Sequence, residues 1–339
     1  MTIADGTGPS HWHPGRSRSP WGPKGWREVR LFGSALVLAS GSGGAGLAAQ
    51  SLPELPDLAA RLMAMSAVSG YEQAMADTVR RLLPGSERDR AGNVVLVLGR
   101  GKPRRLAACP LDEPGYVVGR VRADGWLTLR RVGQAPGPLF DQALEGQRVT
   151  VFGRRGAVPG VVAVRSVHLA RGRPAGSDSP FSLDDAYLDL GARDAGEVRQ
   201  LGVNVLAPVT LEKAPHTYGT GLLAAPAAGR RAACAVLLRA ARQAPSAFSG
   251  TTVVAFVVEQ HFTRRGLLTV GRTLGPFETT RLVDAATGSP PAAPDPARFG
   301  QFDLLGLSVR YAGTPMETVS LDEAAALERR VRAYLDGAE

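Results

Sequence analysis

The chain has 339 residues, enough for one large domain or two of moderate size, and its 44% hydrophobic and 21% charged residues describe a globular protein with a buried core. No apolar run reaches the length of a membrane span, which excludes integral membrane segments, and the two distant cysteines, Cys109 and Cys234, exclude a disulfide framework, a zinc ribbon or a CxxC redox site while leaving open whether they pair. The net charge of +9 is not a nucleic-acid signal: lysine occurs only at 24, 102 and 213, and the arginines are scattered with no basic stripe or interleaved stacking aromatics.

Residues 1–50 read as a disordered lead rich in Gly, Pro, Ser and Arg, then an apolar stretch from Leu31 to Ala39 and the small-residue run Gly46-Leu47-Ala48-Ala49-Gln50. That order is the order of a signal peptide. It predicts export to a periplasmic or extracellular location; the competing expectation is an over-extended start, with translation beginning near Met63 or Met65 in a cytoplasmic protein. Asp57 is placed to cap a short helix through Met65, and Ser69-Gly70-Tyr71-Glu72 has the form of a capping box ahead of a helix carrying Met75, Val79, Leu82 and Leu83. Short β-rich runs follow at 94–98, 105–109, 116–121, 126–132, 148–152 and 158–164, separated by turn residues. From Gly229 the pattern becomes helix, continuous apolar strand (252–258), helix and strand (282–284), as in a sheet covered on both faces. The Pro- and Ala-rich segment 285–298 reads as a loop or linker. Ser320 to Glu323 is a second capping box, opening a helix whose apolar face holds Leu327, Val331 and Tyr334 or Leu335.

Several phrases, in order along residues 58–336, resemble the dinuclear-metal aminopeptidase family of glutamyl aminopeptidase, the cellulase M proteins and the tetrahedral aminopeptidases. They are Ser69-Gly70-Tyr71-Glu72, Asp89-Arg90-Ala91-Gly92-Asn93, Leu111-Asp112-Glu113-Pro114-Gly115, Pro159-Gly160-Val161, Leu188-Asp189-Leu190-Gly191-Ala192, and Arg310-Tyr311 before Pro315-Met316-Glu317-Thr318-Val319. The resemblance implies an α/β fold, a zinc-peptidase-like α/β domain over 52–113 and 215–336 with a small β-barrel-like domain inserted over 116–210. It also implies two divalent metals that polarise a peptide carbonyl and acidify a shared water, with a glutamate as general base.

The positions that should carry this chemistry are altered. Pro110 stands where the family has its first metal histidine, Gly229 where the bridging aspartate opens the central helix, and Gly313 where the last histidine follows Arg310-Tyr311. Gln260 occupies the general-base position and His261 the adjoining ligand position, and glutamine cannot accept a proton as a base. A one-residue shift would bring Glu259 to the base position, but alternation along a strand would then turn the wrong face to the site. What survives is Asp112 in the orienting position and a remnant metal pair, His261 and Asp284. The expected cofactor is none, with one weakly bound divalent metal such as zinc as the alternative; without a metal, His261 is expected to hydrogen-bond to Asp284 in a vestigial cleft. Cys109 is expected as a buried structural thiol; His11 and His13 sit in the disordered lead, His168 in the β-domain, and His216, after Pro215 near the domain crossover, is expected as a solvated loop histidine.

Three functions follow. The first is a catalytically inactive pseudopeptidase that keeps a peptide- or partner-binding scaffold. The second is an active hydrolase with a rearranged one-metal site. The third is a structural oligomerisation module, and a homo-oligomer is the expected assembly in each case.

Overall fold

The computed structural model describes residues 52–133, 135–137, 140–163, 181–184, 186–244, 248–288 and 291–337. Residues 1–51, with His11 and His13, and also His168 lie outside these residues. A six-stranded sheet runs in the spatial order Glu87–Arg88, Val94–Arg100, Gly250–Val257, Arg104–Pro110, Thr279–Ala286, Gln301–Ser308. The last four strands are mutually parallel, and Val94–Arg100 runs antiparallel to Gly250–Val257. Parallel strands covered on both faces read as unbroken apolar runs, and the Thr-Thr-Val-Val-Ala-Phe-Val stretch within Gly250–Val257 is buried throughout.

Alternation along Arg104–Pro110 divides the core. Ala107 and Cys109 face one layer with the helices Leu55–Met63, Ala228–Arg242 and Leu321–Asp336, while Leu106 and Ala108 face the helix Arg265–Leu274 with Phe277 and Phe299. The central helix Ala228–Arg242 is buried on nearly every side, which its alanines allow. Its interior arginines are paired: Arg239 with Glu328 at 3.2 Å and with the carbonyl of Pro53 at 2.8 Å, and Arg231 with Glu113 at 3.3 Å.

Between the two central sheet strands the chain leaves to form a closed antiparallel barrel from Gly115–Val121, Leu127–Val132, Tyr187–Asp189, Gly156–Ala163, Arg148–Gly153 and Pro208–Leu211, in that order around the barrel. Its core is the inward set Tyr116, Val118, Leu127, Leu129, Val149, Val151, Leu188 and Val209. A small sheet of His216–Tyr218, Leu222–Ala224 and Thr318–Ser320 follows the return. Among the described residues no helix is long and apolar enough to cross a membrane.

Several local expectations need correction. Pro56 pre-sets the first turn of Leu55–Met63, so that helix starts before Asp57, which sits in the first turn and does not cap it. The helix after Ser69 begins at Gln73, and the Ser69 hydroxyl donates to Asp112 Oδ2 at 2.6 Å instead of capping it. Within 285–298 the strand Thr279–Ala286 ends and a short helix, Pro296–Phe299, capped by Asp295, begins. Cys109 is not a free thiol. It is bonded to Cys234, 125 positions away, and the disulfide ties the central strand to the second turn of the central helix.

Candidate functional site

Three neighbouring parallel strands end at one place, the region where open α/β sheets assemble their sites. Asp112 follows Arg104–Pro110, His261 follows Gly250–Val257, and Asp284 lies near the end of Thr279–Ala286. The structure brings these three together, but around a residue that sequence reasoning did not single out. Arg230, in the first turn of the central helix, donates from Nε to Asp284 Oδ1 at 3.0 Å and from Nη2 to Asp284 Oδ2 at 2.8 Å. Its Nη1 donates to the backbone carbonyl of Asp112 at 2.8 Å and lies 2.9 Å from His261 Nε2. A guanidinium has no acceptor, so the His261 contact requires an unprotonated Nε2 and places the ring proton on Nδ1. Burial, followed by Arg230, holds the His261 pKa below its ordinary value of 6.5. Burial also works against the Arg230 charge, but Asp284 outweighs it and holds the guanidinium above its usual range.

Asp112 is fully buried and is fixed from two sides, by the Ser69 hydroxyl and by the backbone N–H of His261, which donates to Oδ2 at 3.0 Å. Its other oxygen, Oδ1, has no protein partner, as does Gln260 Oε1. Glu259 turns away from the site: its carboxylate takes two bonds from Arg265 Nη1, at 2.9 and 2.7 Å, and its N–H donates to Glu72 Oε1 at 2.9 Å. Residues 259 and 260 lie beyond the strand in a turn, so strand alternation is not what removes Glu259 from the base position; its ion pair is.

Glu317 closes the opposite side. Oε1 accepts from the Gly229 N–H at 2.8 Å and Oε2 from the Gly313 N–H at 3.0 Å, and burial raises its pKa above 4.5. A Cβ on Gly229 would stand 2.4 Å from Val309 Cγ1 and 2.7 Å from Ala285 Cβ, so no side chain enters there without displacing its neighbours. Gly313 has φ +73, a left-handed conformation that a histidine would adopt only under strain.

Beside this cluster lies a second one. Glu113, Lys213 and Arg231 are all buried; Lys213 Nζ and Arg231 Nη2 both pair with Glu113 Oε2, and Arg231 also donates to the carbonyl of Leu111. Burial works to raise the Glu113 pKa, and the two cations overcome it and hold the carboxyl below 4.5. Both clusters reach a cavity of about 470 Å3 between the barrel and the sheet, with apolar walls from Tyr116, Phe140, Leu144 and Leu211 and polar groups from Arg230 and Glu317.

A pair of divalent metals does not fit these residues. Pro110, Gly229 and Gly313 offer no donor side chain, both oxygens of Asp284 and Nε2 of His261 face Arg230, and among the described residues no group of three His, Cys, Asp or Glu is placed to hold an ion. The remnant pair does not bond directly either, because the guanidinium stands between its members. Arg230 carried one readable signal. A cation in the first turn of a helix opposes the helix dipole and needs a nearby carboxylate.

The chain spans little more than half the length of the curated relatives it matches. SgcX of Escherichia coli (strain K12) is 34% identical over 224 residues, 63% of this chain and 58% of that protein. Lysyl aminopeptidase of Pyrococcus furiosus is 24% identical over 214 residues, 60% of this chain and 59% of that protein. In fold the chain is similar to the TET1 peptidase of Pyrococcus horikoshii, with a TM-score of 0.74 at 19% identity over 83% of this chain and 99% of that one. It is also similar to aminopeptidase APDkam598 of Desulfurococcus kamchatkensis, with a TM-score of 0.70 at 18% identity over 83% and 94%. Residues 92–279, which run from the phrase Gly92-Asn93 through the barrel to the strand bearing Asp284, match the sequence profile of M42 glutamyl aminopeptidase, and the chain belongs to that family.

Proposed function

We propose that this chain is a non-hydrolytic M42 homologue that keeps the family cleft as a binding site for a peptide or a partner segment. The observation that carries the reading is Arg230: its guanidinium engages the two side chains that could still serve as metal ligands, His261 and Asp284. Water activation in this chemistry needs a bound metal and a base. The base position holds Gln260, and Glu259 is paired with Arg265. A one-metal hydrolase would use the same two ligands and is disfavoured on the same ground. The cavity and its apolar walls support retention of binding.

The test is clean protein assayed with zinc, cobalt and manganese against a panel of aminoacyl chromogenic substrates. The expected result is no turnover above buffer; metal-dependent, chelator-sensitive release of N-terminal residues would refute the reading. We also propose export, supported by the order of the leader and by the disulfide, since such bonds persist in oxidising compartments; fractionation of cells making the full chain tests it. A homo-oligomer is proposed by analogy with the TET1 relative, which assembles into a tetrahedron or an octahedral shell. Light scattering on the purified chain tests that, and a monomer at all concentrations would dismiss it.

A further inference from the structure

We propose that Lys213 is a reactive lysine: its amine, once deprotonated, is a nucleophile on the wall of the cavity between barrel and sheet, and it condenses with small apolar aldehydes to an imine. The site is separate in chemistry from the strand-end cluster around Arg230 and goes beyond the non-hydrolytic reading, since Lys213 acts in this way whether or not the cleft hydrolyses peptides. Two cations, Lys213 and Arg231, share one carboxylate oxygen of Glu113, and their side chains are only 7% and 1% exposed. A buried group with one positive charge in excess is costly. It can reach neutrality by releasing one proton, and only the lysine can release it, because a guanidinium does not deprotonate in a protein. Burial lowers the Lys213 pKa below 10.5; Glu113 opposes that, Arg231 adds to it, and Glu317 opposes it more weakly. The other titratable groups on the cavity wall are committed elsewhere: Arg230 to Asp284, His261 to Arg230, and the Tyr116 hydroxyl to Asp141 at 3.1 Å.

The hydrogen bonds serve either form of the amine. In the resting protein the ammonium pairs with Glu113. The neutral amine keeps two N–H groups, and two acceptors are in place for them, Glu113 Oε2 and the Pro226 carbonyl at 3.4 Å. Among the described residues no third acceptor meets Nζ, which leaves the remaining position to the lone pair. A lysine desolvated beside a second cation is the setting in which an amine becomes a nucleophile near neutral pH. The cavity, of about 470 Å3, has walls from Tyr116, Phe140, Leu144 and Leu211 that suit an apolar body. Thr210, on the strand Pro208–Leu211, lines the same cavity, is 4% exposed, and its hydroxyl has no partner among the described residues. A buried hydroxyl without a partner is costly, and the carbonyl oxygen of a bound aldehyde would supply one. The Nζ lone pair adds to the aldehyde carbon and an amine proton moves to the carbonyl oxygen, giving a carbinolamine. Loss of one water then leaves the C=N bond, and nothing is oxidised or reduced.

The sequence holds two other lysines, Lys24 and Lys102, and Lys102, with its side chain 83% exposed, is the internal reference. The full chain is treated with benzaldehyde and cyanoborohydride, which traps the imine, and benzylation of each lysine is followed by peptide mapping. At about pH 7 Lys213 should be labelled at least about tenfold faster than Lys102, with a pH midpoint below that of Lys102. Glyoxylate, an aldehyde whose charge does not suit the apolar walls, should label Lys213 far more slowly than benzaldehyde does. In urea the preference for Lys213 should vanish. Thr210→Val should slow labelling of Lys213 several-fold and leave Lys102 unchanged, and Thr210→Ser should restore it. Equal labelling of the two lysines in the folded wild type, or a preference for Lys213 that persists in urea, would overturn the reactive lysine. Wild-type rates in Thr210→Val would remove the hydroxyl from its part. None of these readouts depends on peptide turnover, whose appearance would sink the non-hydrolytic reading alone.

Discussion

Ser69 and His261 illustrate how far a side chain's role depends on what faces it. The Ser69 hydroxyl is spent on Asp112 and not on a helix end, because the segment 67–69 is zipped to Glu113 by backbone bonds of 2.8 and 3.2 Å that carry it past the helix. His261 faces Arg230, Asp112, Asp284 and Glu113, and burial together with Arg230 depresses its pKa. The unfolded chain takes up the proton near pH 6.5 while the folded imidazole resists it. The contribution of His261 to stability is therefore complete above pH 6.5 and is lost as the pH falls from there towards the folded value. Glu317 works the other way: burial raises its pKa, so it subtracts stability as the pH rises through 4.5 towards the folded value. In urea titrations at about pH 7.5 and about pH 5.5, His261→Gln should therefore lose less stability across the interval than the wild type does. An equal loss in both proteins would show that the acid limb belongs to other groups.

At the scale of elements, the long apolar strand, the central helix and the capped final helix were legible because each combines a sustained period with a recognisable end; Ser320 does accept from the Glu323 N–H, at 3.4 Å. The strands Tyr187–Asp189, His216–Tyr218, Leu222–Ala224 and Thr318–Ser320 were not, since three residues carry no period. The site divides in the same way. The convergence of Asp112, His261 and Asp284 could be inferred from strand ends, whereas Arg230 joins them through a long side chain whose reach no spacing encodes. Nor could the cysteine pair be read, because nothing local distinguishes two bonded thiols from two buried ones. The bond closes a loop of 125 residues, and removing such a link lowers stability by about 2–5 kcal/mol. The double variant Cys109→Ala/Cys234→Ala should show that loss in equilibrium unfolding. Thiol titration of unreduced wild-type protein in denaturant should find no free cysteine, and two reactive thiols there would remove the bond from the account.

For the molecule as a whole, the decisive contacts lie where the chain passes between the sheet and the barrel. It enters the barrel past Glu113 and leaves it past Lys213, and these two residues, a hundred positions apart, form one buried ion pair completed by Arg231 of the central helix. Both crossings are thus pinned to the helix that carries Arg230, and Lys213 also donates to the carbonyl of Pro226 at 3.4 Å, just ahead of that helix. Removing Glu113 leaves two buried cations without their carboxylate, and an uncompensated buried charge costs about 3–5 kcal/mol, whereas removing Lys213 leaves Glu113 paired with Arg231 and costs less. Glu113→Leu alone should lower the denaturant midpoint severely, and Lys213→Met alone less, because Glu113 then keeps Arg231. Lys213→Met combined with Glu113→Leu should recover part of the loss of Glu113→Leu, with one residual cation, Arg231, in place of two, because contacting residues do not contribute additively. If the pinned crossings set the shape of the cavity between barrel and sheet, the double variant will regain stability without regaining affinity for whatever peptide the wild type binds. Independent, additive effects of the two substitutions would show that the crossings are held by the surrounding hydrophobic core and not by this ion pair.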